Sequence, residues 1–282
     1  MTVDAKAIPA GAGAAAPARP PGRRWFGPAL RRVALPLLFV AALFTAWEVA
    51  VRLFNPSSMI IVAPSAVIGL LVLHHAILLQ HAVPTLTEAV AGFGSASVLG
   101  ILLGGAIASS ERVRQAIYPN MVLFQIIPKV ALAPLFIVWL GVGSPSRLAF
   151  AVFMAFFPVA VSTAAGLAGT NRSALRLCQA LTATPWQTFL AVRLPYAVAY
   201  IFAGLKVAVT MAVIGVVVGE FVTAQAGLGY IVMFASSAAE TGLALAAIFL
   251  LCVIGLILYG LVALAEWAVI RWLGAPMTGA MG

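Results

Sequence analysis

Three ionisable side chains sit where a lipid-facing chain should carry none. Lys129 falls in PKVALAP between Pro128 and Pro134, Lys206 in GLKVAVT, and Glu220 in VVVGEFV. A charge at bilayer depth costs on the order of 3 kcal/mol unless it meets a partner or water, so such residues read as parts of a solute pathway. The two prolines around Lys129 should break a helix there and turn backbone carbonyls toward a cavity, and a cation in that place suits an anion. The competing reading of Lys129 is a structural ion pair. Lys206 and Glu220 lie fourteen residues apart on one stretch, which is about 21 Å of helical rise on nearly one face. They share that face without touching, so each is expected to turn to water or to a second copy of the chain. Glu220 is expected near the outer boundary as a solvated carboxylate, with Lys206 reaching inward toward the cytoplasmic end.

Other chemistry is poorly supplied. His74, His75 and His81 crowd one segment with no Asp, Glu or Cys close by to complete a metal site, and read instead as the polar face of a surface helix. Three such histidines and seven scattered carboxylates give no nucleophile with a base and an orienting acid, so no catalytic residue is assigned. No G-x-x-x-x-G-K-[ST] phosphate loop occurs, so this chain should not hydrolyse ATP by that route. No cofactor is expected.

The elements that hold these residues follow from composition. Of 282 residues, 63% are hydrophobic and 8% charged, against about 25% charged in soluble domains. The expected architecture is all-α and polytopic, with six spans: Ala34 to Leu53, Ala89 to Ser110, Ile117 to Gly141, Ala149 to Gly169, Ala197 to Val222 and Leu243 to Ile270. Residues 1–32, rich in Ala, Pro, Gly and Arg, read as a disordered basic tail, and residues 33–282 as the membrane domain. From Pro64 to Gln80 a short helix is expected to lie along the outer surface. Gly100, Gly104 and Gly105 offer close helix approach, and Gly227 with Gly229 a flexible turn.

Basic residues set the orientation. With six spans and the amino terminus inside, Lys6, Arg19, Arg23, Arg24, Arg31, Arg32, Arg112, Arg114, Arg172, Arg176, Arg193 and Arg271 fall on the cytoplasmic side, and only Arg52 and Arg147 outside. The net charge of +9 therefore expresses topology in a lipid bilayer, not nucleic-acid binding, and both termini are expected in the cytoplasm.

The longest cytoplasmic connection, residues 170–196, reads TNRSALRLCQALTATPWQTFLAVRLPY. It should form a helix from Ser173 to Leu181, a turn at Thr184 and Pro185, and a second helix ended by Pro195. Such a motif is a docking knob for a cytoplasmic partner or simply a re-entry loop. Here the chain resembles the permeases of binding-protein-dependent ATP-binding-cassette (ABC) importers, in the nitrate, sulfonate and taurine branch. That family's loop signature is Glu-Ala-Ala, three residues, Gly, nine residues, Ile, one residue, Leu-Pro. Leu194 and Pro195 match its end, Val192 takes the Ile place, Thr182 the Gly place, and Arg176, Leu177 and Cys178 the Glu-Ala-Ala place. Ala183 through Phe189, ATPWQTF, keep the register of the family's Ala-Ser-x-Trp-Gln-x-Phe. The resemblance extends from about Pro64 to Glu266 through APSAVIGLL, HAVPTLTEAVAGFGSASVLGILLGG, IIPKVALAPLFIVWLGVGSPSR, AFFPVAVSTAAG, GLKVAVTMAVIGVVVGEF and GLGYIV.

What the resemblance implies is the permease fold of type I ABC importers (MetI-like) in a bacterial cytoplasmic membrane. Two permease copies would pair, cytoplasmic ABC ATPase subunits would dock on the loops, and an extracytoplasmic solute-binding protein would deliver cargo. The docking residues would be Arg176, Leu177, Leu181, Thr182, Ala183, Trp186, Phe189, Leu194 and Pro195, with Leu177, Leu181, Trp186 and Phe189 supplying apolar grip. The pathway would hold Lys129, Lys206 and Glu220. The cargo would be a small anion such as nitrate, a sulfonate or taurine; a pyrimidine vitamin precursor, or a gradient-driven carrier in place of an importer, remains open.

Overall fold

The computed structural model describes residues 28–223 and 225–273. The chain divides into two compact units, Met1–Val49 and Ala50–Gly282, and every candidate site residue lies in the second. Among the described residues the elements are helical. They are α1 (Pro28–Phe54), α2 (Pro64–Leu73), α3 (His75–Ser109), α4 (Glu111–Ile126), a 3-10 turn (Lys129–Leu132), α5 (Ala133–Leu140), α6 (Ser144–Ala168), α7 (Arg172–Ala180), α8 (Pro185–Thr188), a π turn (Phe189–Arg193), α9 (Leu194–Thr223), α10 (Leu228–Ser237) and α11 (Thr241–Leu273). Five stretches are long and apolar enough to cross a bilayer, and α4 with the segment through Leu140, bent by 88°, is either a sixth, broken span or a re-entrant loop. Five of the six expected spans are therefore present by length and composition, and the expected third coincides with the bent pair. The expected tail falls mostly on residues 1–27, outside the described residues; 28–32 open α1.

α6 is the centre of the second unit and packs against α3 on one side and α9 on the other. Small residues make this possible. Ala89, Gly92, Ala96, Gly100 and Gly104 recur every three or four positions down the buried face of α3, the spacing that lets two helix backbones approach. A Cβ at Gly100 would stand 2.7 Å from Val159 Cβ, and one at Gly104 2.6 Å from Thr163 Cβ. Gly105, grouped with them by sequence, faces open space.

Three expectations about elements are corrected. The helix expected from Pro64 to Gln80 ends at Leu73, and α3 then runs unbroken from His75 through Pro84 to Ser109. One face of this stretch is buried, with Val67, Leu78 and Ala82 in a core with Val209, Val216 and Ile254, while Ile68, Val72, Leu73, Ile77 and Leu79 are exposed. The third span is not continuous: Ile127 is extended and Pro128 opens the 3-10 turn, since a proline cannot donate to the helix ladder. Pro195 does not end the second loop helix, which runs on from Pro185 to Val222. The π turn just before it widens the backbone and accommodates the proline ring, which would otherwise strike the carbonyl one turn back.

Candidate functional site

The loop between α6 and α9 is rigidly built from its own sequence. Asn171 caps α7, its side chain accepting from Ser173 N at 2.8 Å. Thr184 and Gln187 form a reciprocal capping box around α8, at 3.2 and 2.8 Å, which satisfies two donors that would otherwise lack partners. Between the two helices the Ala183 amide donates to Cys178 O at 2.9 Å and the Thr182 amide to Gln179 O at 3.1 Å. This pair of bonds is the Schellman ending, and it needs a left-handed residue at its centre. Thr182 occupies that position with φ +54°. The place where the resembling family has glycine is thus a place that demands positive φ, and this chain fills it with a β-branched residue at a cost in strain.

That frame displays apolar side chains. Trp186 is 67% exposed and Leu181 70% exposed, with Leu177 beside them, and the Trp186 ring stacks on Phe189 with centroids 5.7 Å apart. Arg176 is exposed and donates to Ser173 Oγ at 3.2 Å. Ala183, Leu194 and Pro195 are half-buried and serve the frame more than the display. A tryptophan and two leucines are thus held out from a capped, basic loop.

The intramembrane charges have partners that sequence reasoning did not supply. Lys206 on α9 is ion-paired with Glu266 on α11. Glu220 is 2% exposed; its Oε1 accepts from Thr85 Oγ1 at 2.6 Å and its Oε2 from Gly229 N at 2.7 Å. The expectation that both turn to water or a second copy is corrected, as is the solvated placing of Glu220. Lys129 alone of the three fits its expectation of a break in the span: its Nζ stands 4.9 Å from the centre of the Phe157 ring, at the 88° bend. Phe157 is itself part of an aromatic row with Phe124, Phe153 and Phe156.

Glu220 belongs to a larger polar cluster. Thr85 Oγ1 accepts from Leu228 N at 2.9 Å and His81 Nδ1 from Gly227 N at 3.0 Å. The first three amides of the α10 turn are thus taken by His81, Thr85 and Glu220, side chains from α3 and α9. Arg147 grips Glu88 with two hydrogen bonds, 2.8 and 2.6 Å. His81 is therefore a half-buried acceptor stacked on Tyr230, while His75 is exposed. Glu88, Arg147, Thr85 and Glu266 were missed. A carboxylate in the apolar run around Glu88 was the available signal, since it requires a cation that only tertiary structure can bring.

A cavity of about 440 Å³ opens between the amino-terminal half of α4 and the end of α6, lined by Arg114, Gln115, Tyr118, Pro119, Ala164, Ala165, Ala168 and Gly169. Among the described residues no group of three or more His, Cys, Asp or Glu side chains could hold a metal ion.

Comparison with known proteins fits this geometry. The family described as binding-protein-dependent transport system inner membrane component matches residues 96–271. A probable ABC transporter permease protein of Haemophilus influenzae is 34% identical, over 81% of this chain and 93% of its own. The formylaminopyrimidine transport permease protein of Halalkalibacterium halodurans is 33% identical, over 84% and 95%. The taurine transport system permease protein of Escherichia coli is 30% identical, over 83% and 88%.

Proposed function

From the premise that this chain belongs to the family of binding-protein-dependent transport system inner membrane components, and is a transport component and not an enzyme, we propose that it forms the pathway through which an ATP-driven importer passes a small organic or inorganic anion. Energy comes from ABC ATPase subunits that are separate chains, and cargo from an extracytoplasmic solute-binding protein. Two copies of the chain pair across the pathway, with both termini in the cytoplasm, the orientation that the arginine distribution favours.

The observation that carries this reading is the exposed apolar trio Leu177, Leu181 and Trp186 on a loop fixed by two caps and a Schellman ending. Exposed aromatic and aliphatic groups on a rigid, basic, membrane-edge loop have no use within this unit and suit a groove on an ATPase. Phe189 backs the tryptophan, while Thr182, Ala183, Leu194 and Pro195 hold the loop's shape. Arg176 reverses the charge of the family's Glu place, so the grip here rests on apolar contact.

Lys129 lines the pathway at the broken span, where its charge favours an anion. Lys206 and Glu220 serve the pathway by holding α9 to α11 and to α10, through the partners described above. A second cargo reading, a pyrimidine precursor, draws support from the formylaminopyrimidine permease relative and from the phenylalanine row beside Lys129.

The test is the double variant Trp186→Ala with Leu181→Ala, co-expressed with its partner subunits. The expected result is normal membrane insertion with ATP-dependent uptake lost and ATPase no longer co-purifying. Unchanged uptake in that variant would sink the docking assignment.

A further inference from the structure

α4 is unlike the other long helices. Its first turns and its lower half carry Glu111, Arg114, Gln115, Tyr118 and Gln125 on a helix that forms the first arm of the bent pair. Arg114, Tyr118 and Gln125 are spaced four and seven residues apart, which places them within about 40° of one another on a single face. Gln125 is exposed. An exposed amide inside a span is costly in lipid and ordinary in a water-filled path. The stripe begins at the cavity between α4 and α6 and ends at the break that holds Lys129.

The cavity's chemistry is divided. Arg114, Gln115 and Tyr118 stand along one wall; Ala164, Ala165 and Ala168 form the other. Arg114 Nη2 donates to Glu111 Oε1 at 2.8 Å, and its fork offers five donors in all, in a geometry that suits a carboxylate or sulfonate. Its volume of about 440 Å³ falls within the roughly 300–1,000 Å³ of small-molecule sites. The alanine wall accommodates a short alkyl or flat aromatic body. Gly169, on the cavity rim, caps α6, and α7 of the docking loop starts at Arg172. The cavity and the docking loop are therefore built on one continuous piece of chain.

We propose that this cavity is an anion-binding station at the cytoplasmic end of the route, taking a small organic monoanion by its charged head at Arg114, Gln115 and Tyr118 and its apolar body at the alanines of α6. The station deepens the importer reading and rests on it for the direction of travel. Movement of the docking loop, transmitted through Gly169, would open or tighten it.

The test uses the full-length chain in mild detergent at low salt, with Cys178→Ala and Cys252→Ala removing the native thiols and Ala168→Cys placing one in the cavity wall. Two methanethiosulfonate reagents of similar size are compared, one bearing a sulfonate and one a trimethylammonium group. The Glu111 carboxylate offsets part of the Arg114 charge, so the anionic reagent should react faster than the cationic one by a factor below about four, the value for an unpaired charge roughly 10 Å away in water. Arg114→Gln, which leaves Glu111 without its partner, should abolish or reverse that preference, Arg114→Lys should keep most of it, and millimolar benzenesulfonate should slow the labelling.

An unreactive cysteine, equal rates for the two reagents, or a preference that survives Arg114→Gln would each overturn the station. Absence of the preference with Arg114 in place, alongside intact ATP-dependent uptake, removes the station alone. A preference that persists in a chain whose uptake needs no ATP keeps the station and removes the importer reading.

Discussion

Replacing Thr182 by glycine should stabilise the docking loop, against the usual expectation for a glycine substitution. Thr182 holds φ +54°, and a left-handed conformation costs a residue with a side chain about 1–2 kcal/mol. Glycine avoids that cost but loses more freedom on ordering, an offset of about 0.4–1 kcal/mol. The threonine also donates from Oγ1 to Leu181 O at 2.7 Å, an exposed bond of small net worth. The balance is a gain of about 1 kcal/mol, or roughly a fivefold shift toward the ordered loop. The assay is amide hydrogen exchange on the full chain in lipid nanodiscs, read at Ala183, whose amide closes the Schellman ending onto Cys178 O. The Ala183 protection factor, corrected for its new neighbour, should rise about fivefold in Thr182→Gly, while amides in α6 stay unchanged. Thr182→Val, which keeps the β-branch and loses the hydroxyl, should leave protection level or slightly lower. A fall in protection for Thr182→Gly would refute the strain argument, and a large fall for Thr182→Val would show that the hydroxyl offsets the strain.

Two other perturbations follow from geometry. Gly227 combines φ +115° with a Cβ position 2.2 Å from Glu220 Oε1, so Gly227→Ala should cost on the order of 3 kcal/mol and lower the thermal midpoint in detergent sharply; Gly105→Ala, with nothing within 4 Å, should leave it unchanged, and equal midpoints for the two would contradict the packing described. Lys129→Met removes the cation at the bend and should lower uptake of an anionic cargo about tenfold, as expected for a charge acting over about 10 Å at an effective dielectric near 20, without loss of assembled complex; unchanged uptake kinetics would take Lys129 out of the pathway.

Much of the architecture was legible because membrane helices announce themselves by composition alone. The ends of the spans were not. Proline at 84 was absorbed within α3 and proline at 128 was not, and only the second coincides with a neighbouring proline and a lysine that leave the backbone a reason to unwind. The first helix of the docking loop and the turn at Thr184 and Pro185 were legible; the caps made by Asn171, Thr184 and Gln187 are local chemistry that the structure adds. The polar cluster was opaque for the opposite reason. His81, Thr85, Glu88, Arg147 and Glu220 come from three helices, up to 139 residues apart in sequence, and each taken alone has a plausible surface role. Lys206 and Glu220 share one helix face too far apart to touch, and their partners, Glu266 and Thr85, stand on other helices.

The two ends of this molecule are joined by one element. From Pro185 to Val222 the chain is helical for 38 residues, about 57 Å at 1.5 Å per residue, with Trp186 at its docking end and Glu220 near the other. At that far end lies α10, an apolar helix of 10 residues, too short to span a bilayer and needing partners for its leading amides. Lipid offers none. His81 and Thr85 from α3 and Glu220 from α9 supply them, and Thr85 also donates to Glu220. Sliding α9 along α3 would part Glu220 from Thr85 and leave an amide or a carboxylate buried without a partner, at about 1–3 kcal/mol for each neutral group and more for the charge. Sliding is further opposed by the small-residue contacts that seat α3 and α9 on either side of α6. The lower-energy response to a push at Trp186 is for α9 to carry α3, α6 and α10 with it as one body, so that displacement at the docking loop arrives at the opposite end of the unit as movement of the whole α10 turn.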